Sequence, residues 1–406
     1  MQTSMNSDKS KQNVFICGAK SIGLYGGYET FVYRLTDACN TDSNIKYIVS
    51  CKANGTGCMD TAKLRSDNGK HYYNNTECIM VTVPEWMGSA QAVYYDLASV
   101  IQSYKIIKRR QIDHAIVYIL ACRIGPFAGI LFNLIRRNGG RVFINPDGHE
   151  WKRQKWSYPI RKYWKLSEKL MVKHADLVIC DSKNIEKYIH EEYKKYHPDT
   201  TYIAYGADCS LETAENDSDK YTKWLNEHGF EKKEYYLCVG RFVPENNYEI
   251  MIREYMRSHT CKPLVIVTTE NESYKHRLDD RLGFSKDSRI RFVGTVYDAD
   301  LLKEIRKNAY GYLHGHSVGG TNPSLLEALG STKVNLLYDV GFNREVAEDA
   351  AMYWTDADND LAGLIDKTEN LSLEEIERLG ASAKERIKSC YTWAKINKEY
   401  REVFER

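Results

Sequence analysis

The sequence predicts two α/β domains, each a parallel β-sheet covered by helices on both faces. Strand-like runs alternate with helix-length amphipathic segments, and this alternation begins afresh after a polar interval at residues 208–234. The length of 406 residues also exceeds the size at which one hydrophobic core keeps growing. We therefore predict an N-terminal domain over residues 1–207, a C-terminal domain over 208–390, and a terminal helix over 391–406 that packs back on the N-terminal domain.

The predicted strands are short apolar runs rich in β-branched and aromatic residues. In the N-terminal half they are 13–18, 45–51, 78–84, 114–120, 141–145 and 176–181. In the C-terminal half they are 235–240, 263–269, 289–294, 309–315 and 334–339. The apolar run 125–135 is too short to span a bilayer and is expected to form a buried helix.

Composition narrows the class of protein. The net charge of +2 gives no reason to expect general nucleic-acid binding. The polar first dozen residues contain no apolar signal core, so we expect a cytoplasmic protein without a transmembrane anchor. Eleven cysteines are scattered without a CxxC pair, which favours reduced thiols over disulfides or zinc.

The first strand leads into a glycine-rich turn. Gly26 and Gly27 immediately precede an amphipathic helix, where backbone amides can approach a phosphate or a sugar hydroxyl. The spacing does not match GxGxxG, and the second strand ends without an acidic residue for a ribose, so an NAD site is disfavoured. The alternative is a simple tight strand-to-helix turn.

The segment at 312–331 contains most of the candidate ligand-binding residues of the C-terminal half. A strand ends in a His/Gly loop, and Asn322, Pro323 and Ser324 open a helix that includes Glu327. The amides of Ser324, Leu325 and Leu326 are expected to point from the helix start toward a diphosphate, and Glu327 to accept hydrogen bonds from ribose hydroxyls. The predicted donor-binding set is Gly320, Thr321, Asn322, Ser324, Leu325, Leu326 and Glu327, together with Gly26 and Gly27.

Arg241 follows the first strand of the C-terminal half. Ligands of such folds bind at the carboxyl ends of strands, and a planar guanidinium suits a diphosphate. We therefore add Arg241 to the donor-binding set. Taken alone, an arginine is more often a surface ion-pair residue.

These motifs resemble a known family. VGRFVPENN and HSVGGTNPSLLEA are similar to the donor domain of glycosyltransferase family 4, which has the GT-B fold: two Rossmann-like domains facing each other across a cleft. GLYGGYETFVYRL and NPDGHEWKRQKW resemble the bacterial rhamnosyltransferases of capsule and cell-wall polysaccharide assembly. The resemblance implies a diphosphate contact for Arg241, a nucleotide-sugar donor and a saccharide or lipid-diphosphate-linked acceptor.

Two positions depart from the family pattern. The first Glu of the family's Glu–seven residues–Glu motif falls at Gly319, and the Lys that commonly follows the Gly-Arg pair falls at Asn246. In the family these residues lie beside the donor sugar and its phosphates. Their loss favours a 6-deoxyhexose donor, dTDP-L-rhamnose before UDP-glucose, UDP-galactose or GDP-mannose. Lys275, Arg277 or main-chain amides are candidates to replace the lost charge.

Polar residues follow the strand at 141–145. Asp147 is our first candidate for contact with the donor sugar or the acceptor hydroxyl, followed by His149 and Glu150. The alternative is that Asp147 and Gly148 only form a turn.

A basic and aromatic segment begins at residue 151. Lys152, Arg153, Lys155 and Trp156 start a run to residue 174 that mixes cations with tryptophan and tyrosine, as at a headgroup layer. We predict a peripheral contact with the inner face of the cell membrane, close to the acceptor. The alternatives are a solvated basic helix or single-stranded nucleic-acid binding.

The resemblance implies retaining transfer, in which the donor phosphate itself takes the acceptor proton and no protein nucleophile is required. No DxD-like acidic cluster stands where a cleft loop is expected, so we predict no cofactor and no obligatory metal. Two other functions stay open: a nucleotide-sugar 2-epimerase, and a non-catalytic binding or scaffold protein that kept the fold.

Overall fold

The computed structural model describes residues 11–24, 26–37, 44–153, 155–208 and 218–406. The chain forms two compact units. The first contains the residues up to Lys152 together with Trp156–Tyr205 and Trp393–Arg406, and the second contains Arg153–Lys155 and Gly206–Thr392.

The sheet of the first unit is mostly parallel. Its strands are β1 (Gln12–Cys17), β2 (Ile45–Lys52), β3 (Arg65–Asp67), β4 (Lys70–Tyr73), β5 (Thr76–Val81), β6 (Ile116–Leu120), β7 (Arg141–Asn145), β8 (Leu177–Cys180) and β9 (Thr200–Tyr202). They lie in the order β3-β4-β5-β2-β1-β6-β7-β8-β9, with β4 antiparallel to both β3 and β5. Strand β1 therefore lies between β2 and β6, both of which run parallel to it.

The helices of the first unit follow the predicted alternation. They are α1 (Gly27–Asp37), α2 (Gln91–Arg110), α3 (Gly125–Arg136), α4 (Tyr158–His174) and α5 (Lys183–Glu192). Helices α3 and α4 pack closely, because a Cβ on Gly125 would lie 2.3 Å from the Cα of Ser167. Only glycine permits this approach.

The sheet of the second unit is parallel throughout the described strands. These are β10 (Tyr236–Val239), β11 (Leu264–Val267), β12 (Ile290–Phe292), β13 (Gly311–His314), β14 (Val334–Tyr338) and β15 (Met352–Trp354). Their order is β12-β11-β10-β13-β14-β15. Strands β10, β11 and β14 are buried on both faces except at Tyr338, which explains their near-continuous apolar sequences.

One helix precedes the first of these strands, and the other helices follow the strands. They are α6 (Asp219–His228), α7 (Tyr248–Arg257), α8 (Glu272–Leu282), α9 (Ala299–Lys307), α10 (Pro323–Leu329), α11 (Gly341–Ala347), α12 (Asp360–Thr368) and α13 (Leu373–Cys390). Helix α13 begins with a reciprocal capping box between Ser372 and Glu375, which satisfies two backbone donors at its start.

The last helix, α14 (Trp393–Phe404), belongs to the first unit. The Tyr400 hydroxyl lies 3.1 Å from that of Tyr118, and the Phe404 ring stacks on Phe143. These buried aromatic contacts join the end of the chain to the sheet of the first unit.

Every strand predicted from the sequence is present. The sequence analysis missed the hairpin of β3 and β4, and the edge strands β9 and β15. The hairpin and β9 are half-buried or exposed, so their residues lack the continuous apolar pattern of a central strand. In the described ranges no helix combines the length and apolar character needed to cross a membrane. The nine cysteines among the described residues are free thiols, as predicted.

Candidate functional site

The strand order of the second unit creates a switch point. Connections from β10 lead to β11 on one side, whereas β13 lies on the other, so the loops after β10 and β13 diverge at the carboxyl edge. Arg241 follows β10, and the loop from Gly315 to Asn322 follows β13. The predicted donor-binding residues of this unit thus come from the place where such sheets bind ligands.

Three amides at the start of α10 are not free. The amide of Ser324 donates to the side chain of Asn322 at 2.9 Å. Those of Leu325 and Leu326 donate to the Asn322 carbonyl at 3.1 and 3.2 Å. Asn322, the residue that caps this seven-residue helix, already satisfies these amides in the structure. Their contact with a diphosphate stays a prediction.

The start of α10 is instead attached to the sheet. The Ser324 hydroxyl lies 2.9 Å from the Tyr312 hydroxyl and donates to the Val239 carbonyl at 3.1 Å. Leu325 and Leu326 are fully buried. These three residues fix the helix, while Gly320 and Thr321 are buried in the loop before it.

Glu327 has a partner that the sequence analysis missed. Arg306 Nη2 lies 2.7 Å from Glu327 Oε2; the arginine side chain is 6% exposed and the glutamate side chain 46%. The buried guanidinium thus holds one carboxylate oxygen, and nearly half of the glutamate side chain stays exposed. The sequence offers only a weak indication that Arg306 is buried, namely its position next to Ile305 on the amphipathic helix α9.

Arg241 and Asn246 are connected through the backbone. The Asn246 side-chain amide donates to the Arg241 carbonyl at 2.7 Å, while the Arg241 side chain is exposed. A shallow recess in the second unit is lined by Arg153, Lys155, Arg241, Val243, Glu245, Asn246, His316 and Val318. Three cationic side chains and one carboxylate, Glu245, thus share this recess, and the excess of positive charge favours an anionic ligand.

His316 lies between the two positions that depart from the family pattern. Its Nδ1 is 2.8 Å from Asn246 Oδ1. A Cβ on Gly319 would lie 2.9 Å from its Nε2. Burial, with smaller contributions from His314, Arg153 and Arg241, holds the pKa of His316 well below its usual 6.5. His316 lies within the motif HSVGGTNPSLLEA, but no role was predicted for it from the sequence.

Lys275 is engaged elsewhere. Its ammonium group pairs with Glu270 and lies 4.4 Å from the centroid of the Phe292 ring. Arg277 lies 5.9 Å from the ring of Tyr274. Neither residue lines the recess around Arg241.

In the first unit, Gly27 begins α1 and Gly26 precedes it. The Gly27 carbonyl accepts a hydrogen bond of 2.5 Å from the Tyr205 hydroxyl. A Cβ on Gly26 would lie 2.2 Å from a carboxylate oxygen of Glu29, whereas one on Gly27 would meet no atom within 4 Å. A side chain at position 26 would therefore displace the Glu29 carboxylate, whereas position 27 has open space.

Asp147 adopts the turn that we considered as the alternative. Its φ is 58°, its amide donates to the Asn145 side chain at 2.7 Å, and its carboxylate accepts from the Gly148 amide at 2.9 Å. These local bonds hold a left-handed conformation that aspartate tolerates. The turn does not exclude contact with substrate, so the catalytic role stays a prediction.

His149 and Glu150 have partners of their own. The His149 ring centroid lies 4.2 Å from that of Tyr188, whose hydroxyl donates to Glu168 at 2.5 Å. Burial first, and then Lys152 and Lys165, lower the pKa of His149 to about 4. Glu150 accepts a hydrogen bond of 2.7 Å from the indole of Trp156.

The basic segment is less exposed than predicted. Trp164 is buried, Tyr163 donates to the Arg123 carbonyl at 2.7 Å, and Trp156 is half-buried. The prediction that Trp164 faces a headgroup layer is wrong, since it packs against Trp156 and Tyr163. Lys152 is exposed in the first unit, whereas Arg153 and Lys155 belong to the second.

Across the described ranges, no three His, Cys, Asp or Glu side chains are placed to hold a metal ion together.

Comparison with known proteins identifies one matching family and a related glycosyltransferase. A family described as a domain of unknown function (DUF1972) matches residues 11–208. An uncharacterized glycosyltransferase of Methanocaldococcus jannaschii is 30% identical over 281 residues, which cover 67% of this chain and 68% of that protein.

Solved structures share the fold. A sucrose-phosphate synthase from Thermosynechococcus elongatus superposes with a TM-score of 0.74 at 14% identity, over 97% of this chain and 98% of that one. Anabaena HepE in complex with UDP gives 0.69 at 14% identity, over 97% and 99%. The Escherichia coli trehalose-6-phosphate protein bound with UDP-2-fluoro glucose gives 0.70 at 12%, over 98% and 99%. The predicted class of two parallel-sheet Rossmann-like domains, the GT-B fold, is confirmed.

Proposed function

This chain belongs to the glycosyltransferases, and we propose that it transfers L-rhamnose from dTDP-L-rhamnose to a lipid-linked saccharide with retention of configuration. The observation that carries a nucleotide-sugar donor is the Arg306–Glu327 pair. It leaves the Glu327 carboxylate half exposed on α10, the helix that follows β13 beside the switch point of the second sheet. A carboxylate held in this way is suited to accept hydrogen bonds from the hydroxyls of a ribose.

The diphosphate is assigned to Arg241. A guanidinium can bind two phosphate oxygens at once, and Arg153 and Lys155 line the same recess. This positive surface would stabilise the charge that develops on the leaving nucleotide. The donor phosphate then takes the proton from the acceptor hydroxyl, which leaves the protein to orient both substrates.

The choice of a deoxy sugar rests on Gly319 and Asn246. Neither position supplies the charged group that the family places beside the sugar and phosphates. UDP-glucose is the chief competing donor, since Anabaena HepE was solved in complex with UDP-glucose. A pyrimidine nucleotide is common to both candidates.

The donor is tested by thermal shift against dTDP-L-rhamnose, UDP-glucose, UDP-galactose and GDP-mannose, followed by transfer assays with the stabilising donor. Arg241→Ala and Glu327→Ala should each lower kcat/KM by about 100-fold or more. Arg277→Ala, an arginine of the same unit outside the recess, is the matched control and should leave turnover unchanged.

Each other outcome identifies a different function. Conversion of the donor to a sugar epimer without acceptor would indicate an epimerase. Donor binding without turnover in the unmodified protein would indicate a scaffold. A large stabilisation by UDP-glucose alone would replace rhamnose as the transferred sugar.

We also propose that no metal is required, because Arg241 and its cationic neighbours supply positive charge at the diphosphate. Transfer should continue at an unchanged rate in EDTA. Loss of activity in EDTA that magnesium restores would overturn this proposal.

We place the acceptor reaction at a membrane surface, on a different set of residues from those first predicted. The packed helices α3 and α4 expose Phe127, Ile130, Tyr158 and Leu166, and Ile130 is 70% exposed. Lys162 of α4 is exposed among them. Large apolar side chains beside a cation suit the interface of an anionic bilayer.

Flotation with vesicles containing anionic phospholipid tests this surface. Phe127→Ser combined with Ile130→Ser should lower the vesicle partition coefficient by about 100-fold or more, since each buried apolar side chain contributes about 1.5–3 kcal/mol. Trp86→Ser removes an even more exposed aromatic side chain of the first unit and is the control. Equal losses for both variants, or no binding by the unmodified protein, would contradict a specific membrane face.

A further inference from the structure

The two departures from the family pattern are physically linked. Asn246 and Gly319 come from different loops of the second unit, yet both lie against the imidazole of His316. Neither family residue fits this arrangement: a lysine at 246 has no acceptor for Nδ1, and any side chain at 319 would press on Nε2. Asn246, His316 and Gly319 therefore form one cluster around the imidazole of His316.

The hydrogen bonds fix which nitrogen of His316 carries the proton. The Asn246 amide nitrogen donates to the Arg241 carbonyl at 2.7 Å, so its oxygen is the atom that faces His316. That oxygen accepts from Nδ1–H at 2.8 Å. Nε2 consequently holds a lone pair.

Nε2 has room for a ligand. The ring is 9% exposed, and no described residue donates a hydrogen bond to Nε2. Gly319 keeps the space open, because an added Cβ would lie 2.9 Å from this nitrogen. Its φ of 150° also favours glycine.

The environment keeps the imidazole uncharged. Burial, His314, Arg153 and Arg241 all lower the pKa of His316 from 6.5. An uncharged imidazole with Nδ1–H accepts hydrogen bonds at Nε2 throughout the neutral range. A protonated ring would lose this ability.

We propose that Nε2 of His316 accepts a hydrogen bond from one hydroxyl of the donor sugar, in the space that Gly319 leaves open. The inference rests on the proposed donor site and names the residue that recognises its sugar. A carboxylate accepts from two hydroxyls, whereas a single nitrogen lone pair accepts from one. The site therefore suits a sugar that presents one hydroxyl here, as a 6-deoxyhexose with fewer hydroxyls can.

A pair of amide variants isolates Nε2. His316→Asn keeps a polar group near the Nδ1 position, where Asn246 can still bond it, and removes the acceptor at Nε2. His316→Gln places an amide near the Nε2 position. Binding of dTDP, dTDP-L-rhamnose, UDP and UDP-glucose to each variant is measured by calorimetry, with KM and kcat for transfer.

We expect the variant to lose affinity for the nucleotide sugar but not for the free nucleoside diphosphate. His316→Asn should weaken binding of the preferred nucleotide sugar by about tenfold, the scale for leaving one buried hydrogen bond unmade. Binding of the free nucleoside diphosphate should change by less than about twofold. His316→Gln should recover part of the loss.

Gly319→Ala gives a second, independent variant. Its methyl group should block Nε2 and cause the same selective loss. Gly283→Ala is the control, because Gly283 also has a positive φ but its Cβ would meet no atom within 4 Å. Backbone strain alone should leave the sugar contribution unchanged.

The outcomes separate this inference from the proposed function. Equal losses for nucleotide and nucleotide sugar, or no loss in His316→Asn, would overturn the role of His316 while leaving the donor site intact. Failure of the unmodified protein to bind any of the four ligands would overturn the proposed donor site and this inference with it.

Discussion

Each of the two units contains a close arginine–carboxylate pair, but the two pairs bury opposite partners. In the first unit Asp96 is fully buried and lies 2.9 Å from Arg123, whose side chain is 21% exposed. In the second unit the arginine, Arg306, is buried, and Glu327 is half exposed. The first carboxylate therefore supports the structure, whereas the second is available to a ligand.

This contrast extends to the surrounding residues. The candidate site of the second unit joins residues that are distant in the chain, such as Arg306 with Glu327 and Asn246 with His316. In the first unit, Asp147 accepts a hydrogen bond from the neighbouring Gly148 amide, and Glu150 accepts one from Trp156, six residues along the chain. Long-range contacts hold a site in a defined geometry, so the second unit supports a more specific assignment.

The largest effect is expected at Asp96. Burial raises the pKa of the Asp96 carboxyl, and the Arg123 guanidinium opposes that rise. Arg123→Met should lower the free energy of unfolding of the first unit by about 3–5 kcal/mol, because it leaves a buried carboxylate without its cation. Urea unfolding followed by circular dichroism measures this loss.

Asp96→Asn is the reciprocal variant and should cost less, since Arg123 can reach water. The double variant Asp96→Asn with Arg123→Met should recover much of the loss. Equal costs for the two single variants would contradict the assignment of Asp96 as the buried partner.

The order should reverse in the second unit. Glu327→Ala leaves Arg306 buried without its carboxylate and should cost about 2 kcal/mol of unfolding free energy. Arg306→Met leaves a half-exposed glutamate that water can solvate, so it should cost less. Unfolding of both variants by urea, with Arg277→Ala as a control, tests this order; a larger cost for Arg306→Met would contradict it.

The smallest effect concerns His149 and acid. Its folded pKa of about 4 lies below the ordinary 6.5, so the unfolded chain binds more protons between these values and stability falls as pH falls from 6.5 toward 4. Replacement by Gln should remove about 1–2 kcal/mol of the acid destabilisation between pH 7 and pH 5. Unfolding at both pH values measures this difference, and His276→Gln, an exposed histidine, is the control.

If His149→Gln leaves the pH dependence of the unfolding free energy unchanged, burial does not lower the pKa of His149. The low pKa also bears on chemistry. At neutral pH the imidazole is uncharged, so it can accept a proton but cannot act as a preformed acid.

Prediction from the sequence was strongest for the central strands. Runs such as 236–239 and 264–267 are buried on both faces, and their continuous apolar residues identify them without further information. Strand β9 and the β3–β4 hairpin were not predicted, because half-buried strands tolerate polar residues that hide the apolar pattern. The exposed apolar face of α3 and α4 was not predicted, because apolar residues on a helix ordinarily indicate burial.

The site shows the same division. Glu327 and Arg241 could be identified because each lies in a recognisable motif after a strand. Arg306 could not, because nothing in its own segment indicates that a carboxylate from another helix reaches it. The bonding of the α10 amides could not be predicted either, since the sequence shows a capping asparagine but not that its carbonyl and side chain satisfy all three donors.

The sequence by itself determined the two α/β units, their central strands and the segments that carry the candidate donor site, because periodicity and turn chemistry are local properties of a chain. Only the tertiary structure decided which charges are buried, which amides are already bonded, and that Asn246 and Gly319 meet at His316. Those outcomes depend on contacts between distant segments, whose free energies arise only when the segments are brought together.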